Sequence, residues 1–229
     1  MTITSSKKIL IALTSHDDLG GVRKTGFYLS EAAHPWRAFR AADYQVDLVS
    51  PQGGEPPRDG VDLADPIQQA FLDDAEMSRK LAETRRPDEI NAQEYAAILY
   101  AGGHGAMWDF PNNTDLAGIA RDIYEAGGVV AAVCHGPAAL VNITLSNGTC
   151  LVADKEVSAF TNDEESAVGL SDVVPFLLQT ALEERGARHV GAANFQPHVS
   201  IADRLVTGQN PASATGVADQ VVKVLTQSA

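Results

Sequence analysis

The chain has 229 residues, 45% hydrophobic and 21% charged, the proportions of a globular protein with a full core rather than a disordered one. A formal net charge of -13 argues against a nucleic-acid partner, which wants a basic face, and disfavours an anionic membrane surface. Two cysteines, Cys134 and Cys150, are too few for the usual disulfide framework of a secreted domain. The opening M-T-I-T-S-S-K-K runs straight into I-L-I-A-L, too short for a signal peptide, and no apolar run approaches the ~20 residues that span a bilayer. The expectation is a cytoplasmic protein with free thiols.

Lys8 to Ser15 is a continuous apolar run and suits a strand buried on both faces. Thr25 to Ala42 carries helical spacing, with Pro35 as a kink or an early stop. Gln45 to Ser50 reads as the second strand. Residues 54–94 are charged, punctuated by proline and mostly helical in pattern, an insertion longer than a plain connection needs. Tyr95 to Ala101 is the third strand, followed by G-G-H-G-A-M-W-D-F-P. A helix over Thr114 to Ala126 stops at Gly127-Gly128. Val129 to Val133 is the fourth strand, then C-H-G and a helix from Pro137. Thr149 to Phe160 alternates well enough for one or two strands, and Ser171 to Arg185 reads as a helix with Pro175 in its first turns. R-H-V-G-A-A and R-L-V-T-G-Q-N-P read as late strands, and Ala212 to Leu225 as a closing helix. Strands alternating with helices predict a mostly parallel sheet covered on both faces, and the length is within reach of a single domain over 1–229 without excluding two. In such sheets ligands bind beyond the carboxyl ends of the strands. Ser15-His16, Gly102 to Gly105 and Cys134 to Gly136 occupy those positions.

Cys134 ends a buried strand just before a predicted helix. That junction forces a sharp turn that displays a side chain, as in the nucleophile elbow. A thiol at a helix N-terminus also has a lowered pKa. The plainer alternative is a buried structural cysteine. Gly136 and Pro137 favour the elbow, glycine by relieving a tight turn and proline by starting a helix. His135 either reaches the thiol through irregular backbone or merely packs. The glycines around His104 bring backbone N–H groups close to a ligand, as an oxyanion hole requires. Glu31 sits among apolar neighbours. It is either a solvated surface glutamate or a desolvated carboxyl able to hold a proton at neutral pH. His34 could share its face, but with no H-E-x-x-H and no C-x-x-C a metal site is not expected. Cys150 is expected to pack in the core. Trp108 and Phe110 either line a pocket or anchor their loop.

In that order along the chain stand K-T-G-F-Y-L-S-E-A-A-H-P-W, A-G-G-H-G-A-M-W-D-F-P, V-V-A-A-V-C-H-G-P-A, A-F-T-N-D-E-E and L-V-T-G-Q-N-P-A-S. Together they resemble the ThiJ/PfpI superfamily, which is class I glutamine amidotransferase-like, and within it the glutathione-independent glyoxalase (glyoxalase III) and heat-shock chaperone branch. The resemblance implies a flavodoxin-like three-layer α/β/α sandwich and a Cys-His-Glu site. It makes Cys134 the nucleophile, His135 its partner and Glu165 the orienting carboxylate, with Asp163 and Glu164 close by in sequence. It sets Glu31 beside the cysteine, makes the backbone N–H groups of Gly103 and His135 oxyanion donors, and adds His104 and Trp108 to the substrate-binding set. A late histidine with no glutamate two residues on disfavours a glutaminase, and His135 disfavours the isocyanide hydratase branch.

The implied reaction converts a small 2-oxoaldehyde such as methylglyoxal to a 2-hydroxy acid through a Cys134 hemithioacetal, with no cofactor and no metal. The alternatives are a stress-protective chaperone or cysteine redox sensor without turnover, or a deglycase or peptidase using the same thiol. A homodimer is expected, with neither nucleic acid nor membrane as partner.

Overall fold

The structure is a computed structural model that describes residues 8–227. The chain runs β1 (Lys8–Ala12), β2 (Phe27–Tyr28), α1 (Ser30–Ala41), β3 (Gln45–Val49), β4 (Arg58–Asp59), α2 (Pro66–Asp73) and α3 (Ala75–Ala82). It continues through β5 (Ala97–Tyr100), α4 (Ala106–Asp109), α5 (Thr114–Glu125), β6 (Val129–Val133), β7 (Glu156–Val157) and α6 (Asn162–Ala167). It closes with α7 (Leu178–Glu184), β8 (Arg188–His189), β9 (Val199–Ala202), β10 (Leu205–Gly208) and α8 (Ala214–Gln227).

The six-stranded sheet has the order β3-β1-β5-β6-β10-β9. Every pairing is parallel except β10 with the edge strand β9. The five parallel strands follow the flavodoxin-like order 2-1-3-4-5, which puts a topological switch point between β1 and β5. Side chains alternate across a strand, so each strand feeds both layers. Leu10, Ala12, Ile98, Tyr100, Val130 and Ala132 face a core completed by Ile119 and Ile123 of α5 and Leu182 of α7. Ile9, Ile11, Leu99, Ala131 and Val133 face the opposite core, built from Trp36 and Phe39 of α1 and Val217 and Val221 of α8. With both faces covered, the central strands read as unbroken apolar runs, and the sandwich predicted from the sequence is the one formed. Among the described residues no helix is long and apolar enough to cross a membrane.

Several elements depart from the sequence expectation. The helix over Thr25 to Ala42 begins only at Ser30, because Phe27 and Tyr28 pair with Arg58 and Asp59. Pro35 does not stop it; the helix continues to Ala41, held by the buried faces of Ala32, Ala33, Trp36 and Phe39. In the 54–94 segment only α2 and α3 are α-helical, eight residues each. Asp65 caps the first through the Ile67 and Gln68 N–H groups, and Asp74 caps the second through those of Glu76 and Met77. Residues 171–177 form turns rather than a helix start, since a residue before proline avoids the α region and Pro175 defers the helix to Leu178. Between Thr149 and Phe160 only Glu156–Val157 is a strand. Edge strand β9, paired antiparallel to β10, was not foreseen.

Candidate active site

Cys134 follows the last residue of β6 with φ +60°, a left-handed conformation unfavourable for any residue with a Cβ. Its backbone is clamped on both sides. Its N–H donates to the Gly208 carbonyl at 2.9 Å, and its carbonyl accepts from the Phe160 N–H at 3.0 Å. The strained elbow predicted from the sequence is therefore present, and the cysteine itself carries the positive φ. Gly136 serves a different need, because a Cβ there would stand 2.1 Å from the Tyr100 carbonyl oxygen of β5. The segment after the elbow, Gly136–Asn142, is a 3-10 run and not an α-helix. The helix dipole expected to depress the thiol pKa is correspondingly weak. Burial instead pushes the Cys134 thiol well up, and the Glu31 carboxyl beside it adds to the rise. The backbone N–H groups of His135 and Gly103 pull the other way.

Glu31, on the first turn of α1, is fully buried rather than a solvated surface glutamate. Its Oε2 accepts the Gly102 N–H at 2.7 Å, its Oε1 has no hydrogen-bond partner among the described residues, and the carboxyl stands beside Cys134. Burial raises its pKa to about 8 against the pull of Gly102 and Cys134, so it carries a proton at neutral pH.

The His135 ring lies with Nδ1 3.3 Å from the Cys134 sulfur and Nε2 2.7 Å from Glu165 Oε2. Burial, aided by the neighbouring His104, lowers its pKa to about 4. For Glu165, burial alone would raise the pKa, but hydrogen bonds from His104 and His135 outweigh it and hold the group at about 2. A neutral imidazole facing a carboxylate must put its proton on Nε2, which leaves Nδ1 as the acceptor toward sulfur. Of the three consecutive acids, Glu165 is the one on His135. Glu164 is buried too, but its Oε1 accepts from the Phe195 N–H at 2.7 Å and from Asn210 Nδ2 at 2.9 Å.

His104, from the G-G-H-G turn after β5, places Nε2 2.9 Å from Glu165 Oε1. His104, His135 and Glu165 bring their donor atoms within 4.8 Å of one another, as a metal site would need. Here each imidazole instead addresses its own carboxylate oxygen, and the rings lie tilted by 39° with centroids 4.1 Å apart. That is a hydrogen-bonding arrangement rather than a converging set of ligands. Trp108 stacks on His16 at 5.0 Å, and the aromatic ring packed on His135 is Phe160, at 4.4 Å. His34 bridges Asp65 and Thr215 rather than joining Glu31. Cys150 is half-buried and packs against the core's edge.

Residues 22–224 match the DJ-1/PfpI family. The chain belongs to that family. The glutathione-independent glyoxalase HSP31 of Saccharomyces cerevisiae is 35% identical to it, over 96% of this chain and 98% of its own length. Glyoxalase 3 of Candida albicans is 31% identical, covering 94% and 97% respectively. The crystal structure of glyoxalase III from Candida albicans superposes with a TM-score of 0.88 at 30% identity, over 95% of this chain and 96% of that one. The X-ray structure of Rapid Encystment Protein 24 KDa from Francisella tularensis superposes at 0.92 with 42% identity, over 95% and 98%.

Within this DJ-1/PfpI chain, the sequence marked Glu164 only as a neighbour of Glu165, without its own role, and did not point to Phe160 at all. Glu164 had a legible signal. Thr161 and Glu164 form a capping box, in which the Thr161 hydroxyl accepts the Glu164 N–H and the Glu164 carboxylate accepts the Thr161 N–H, both at 2.9 Å. That box starts α6 and so fixes the direction in which Glu165 projects. Phe160 has no such signal, because its contact with His135 is purely tertiary.

Proposed function

We propose that the protein is a glutathione-independent glyoxalase that converts methylglyoxal or a similar 2-oxoaldehyde to a 2-hydroxy acid, with Cys134 as nucleophile. The observation that carries the reading is one unbroken line of groups: a buried thiol, a neutral imidazole and an anionic carboxylate, at 3.3 and 2.7 Å. The names of the full-length relatives favour turnover over a chaperone or sensor that lacks it.

In this mechanism the thiolate does not stand free, since burial opposes it. His135 Nδ1 takes the thiol proton as sulfur attacks the aldehyde carbon, and the carbonyl electron pair moves to oxygen. The Gly103 and His135 N–H groups face the developing alkoxide, and each such donor is typically worth ~3 kcal/mol. Glu31, protonated at neutral pH, gives its proton to that oxygen and completes the hemithioacetal. The carboxylate so formed then removes the proton from the former aldehyde carbon. The electron pair forms an enediol, and the imidazolium protonates the neighbouring oxygen. Glu31 then delivers the abstracted proton to the second carbon, and its carboxylate takes the hydroxyl proton of the first carbon in exchange, which leaves a thioester on Cys134 with Glu31 protonated again. Water, deprotonated by His135, attacks the thioester, and sulfur leaves as the 2-hydroxy acid is released. The sum is 2-oxoaldehyde plus water giving 2-hydroxy acid, an internal redox step that consumes no glutathione, metal or nucleotide.

The same reading takes residues 1–229 as one domain, because the proposed machinery draws on α1, the turns after β5 and β6, and α6 together. It also takes the working unit to be a cytoplasmic homodimer, the commonest closed assembly. Lactate formation from methylglyoxal without added glutathione tests the function. Turnover in the wild type that disappears in Cys134→Ala supports it, and a wild type with a reduced thiol and no turnover overturns it.

A further inference from the structure

Glu165 serves two imidazoles. His135 Nε2 addresses Oε2 at 2.7 Å, and His104 Nε2 addresses Oε1 at 2.9 Å. The second bond is not a surface accident, since the Glu165 and His104 side chains are only 4% and 14% exposed. A carboxylate with one donor can turn about its own axis. A second donor on the other oxygen fixes its plane and, through it, the ring that the first donor belongs to.

The placement of His104 in the chain gives that bond a second consequence. Its neighbour Gly103 donates a backbone N–H toward the Cys134 sulfur, at φ +101°. A Cβ on Gly103 would stand 2.2 Å from the Gly26 carbonyl oxygen, so this turn passes too close to other backbone to be anchored by a side chain of its own. The first side chain available to hold it is that of His104, and His104 reaches across to α6.

We propose that His104 is a positioning residue: a clasp that holds the Gly103 N–H and the Glu165 carboxylate in one fixed geometry around Cys134, without carrying a proton in the reaction. The inference rests on the roles proposed above for Cys134, His135 and Gly103. Its chemistry is specific. The clasp needs an N–H donor at the reach of Nε2 and nothing else from the imidazole, so glutamine can replace it and alanine cannot.

The test is the rate at which iodoacetamide alkylates Cys134 in the intact protein carrying Cys150→Ser, which silences the other thiol. H104A should slow alkylation about tenfold or more, the usual consequence of losing a hydrogen bond to a charged group. H104Q should stay within about threefold of the parent, as expected where the donor is kept. On an E165Q background H104A should change the rate less than about twofold, because the partner of the clasp is already gone. A residue that only supports packing would not be rescued by glutamine and would add its effect independently of Glu165. Should H104A melt below the assay temperature, His104→Asn, too short to reach Glu165, takes its place. The clasp is overturned if H104A alkylates like the parent, if H104Q is as slow as H104A, or if H104A and E165Q are fully additive. Alkylation involves no oxoaldehyde, so the two readings fail separately. A protein with the expected alkylation pattern and no lactate formation keeps the clasp and loses the glyoxalase. One that forms lactate while H104A alkylates normally keeps the glyoxalase and loses the clasp.

Discussion

His135 Nε2 stands 2.7 Å from Glu165 Oε2, with both side chains almost sealed from water. The carboxylate can only accept, so it selects the imidazole tautomer whose free nitrogen faces Cys134. Glu165→Gln preserves the size of the side chain and removes that selection, because an amide can also donate. Its NH2 toward Nε2 would move the ring proton to Nδ1, where it faces the sulfur and blocks proton transfer. Lactate formation from methylglyoxal should fall by ~10³-fold or more in kcat, the scale seen where an orienting carboxylate is replaced by its amide. Unchanged kcat in this variant would remove Glu165 from the mechanism.

The shifted pKa values of His135 and Glu31 place a window on activity. His135 is neutral, and so a base, above about pH 4, and Glu31 holds its proton below about pH 8. The kcat/KM profile should be bell-shaped between those limits. Glu31→Gln should lose the alkaline limb together with most of the activity, since glutamine neither titrates nor returns a proton. A wild-type profile still rising above about pH 9 would contradict the assignment of Glu31 as the acid.

The same shift makes a separate prediction about stability. Glu31 titrates at 4.5 when free and at about 8 in the fold. Between those pH values the unfolded chain has released a proton that the folded chain keeps, so the native state loses stability as pH rises. The slope approaches ~1.4 kcal/mol per pH unit within the window. Glu31→Gln is free of this penalty. Its melting temperature should gain on that of the wild type steadily from about pH 5 to about pH 8. Parallel melting curves across that range would show that Glu31 is ionised in the folded protein.

Some of this was legible in the sequence, and the reasons are specific. β1, β5 and β6 were readable because burial on both faces turns a strand into a continuous apolar run, and β3, at the sheet edge, because Val46 and Leu48 alternate with the polar Gln45 and Asp47. The Cys134 elbow was readable because a thiol, a glycine and a proline follow such a run directly. Glu31 was ambiguous, because apolar neighbours along a helix do not say whether the glutamate itself faces inward. Glu165 lies 30 residues from its partner and was reachable only through the family resemblance. The stretch from 171 to 177 misled because V-V-P-F-L carries helical spacing that a turn can bury equally well, as the buried Val174 shows; the expected helix forms only from Leu178. β9 escaped because an edge strand of four residues with mixed burial lacks the apolar run that marks the central strands.

The conformation of Cys134 predicts an inversion of the usual order of substitutions. At φ +60° an alanine keeps the Cβ and therefore the strain, about 1–2 kcal/mol, whereas glycine relieves it. Glycine adds entropy to the unfolded chain, a cost of roughly 0.5–1 kcal/mol that falls short of the relief. Cys134→Gly should thus melt at or above the temperature of Cys134→Ala, although both are inactive. A clearly lower melting temperature for the glycine variant would mean that the elbow stores no strain.

Gly136 makes the opposite case, a glycine required by space rather than by its torsion angle. An added Cβ would meet the Tyr100 carbonyl oxygen at 2.1 Å, and that oxygen belongs to β5 at the centre of the sheet and has no freedom to retreat. Either β5 shifts or the elbow does, and the elbow carries Cys134 and His135. Gly136→Ala should destabilise the protein by about 1–3 kcal/mol or more, as overpacking does. It should also slow Cys134 alkylation, because the thiol moves off the His135 Nδ1. Gly118→Ala supplies the control. It lies within α5, the nearest atom to its added Cβ is 4.0 Å away, and a helical glycine-to-alanine change is favourable by roughly 0.5–1 kcal/mol. Thermal melts of the two variants should therefore move in opposite directions, by about 2–4 °C for each kcal/mol in a chain of this length. A Gly136→Ala variant that melts and alkylates like the wild type would show that β5 and the elbow are not in contact at this point, and with that the proposed placement of the nucleophile would fail.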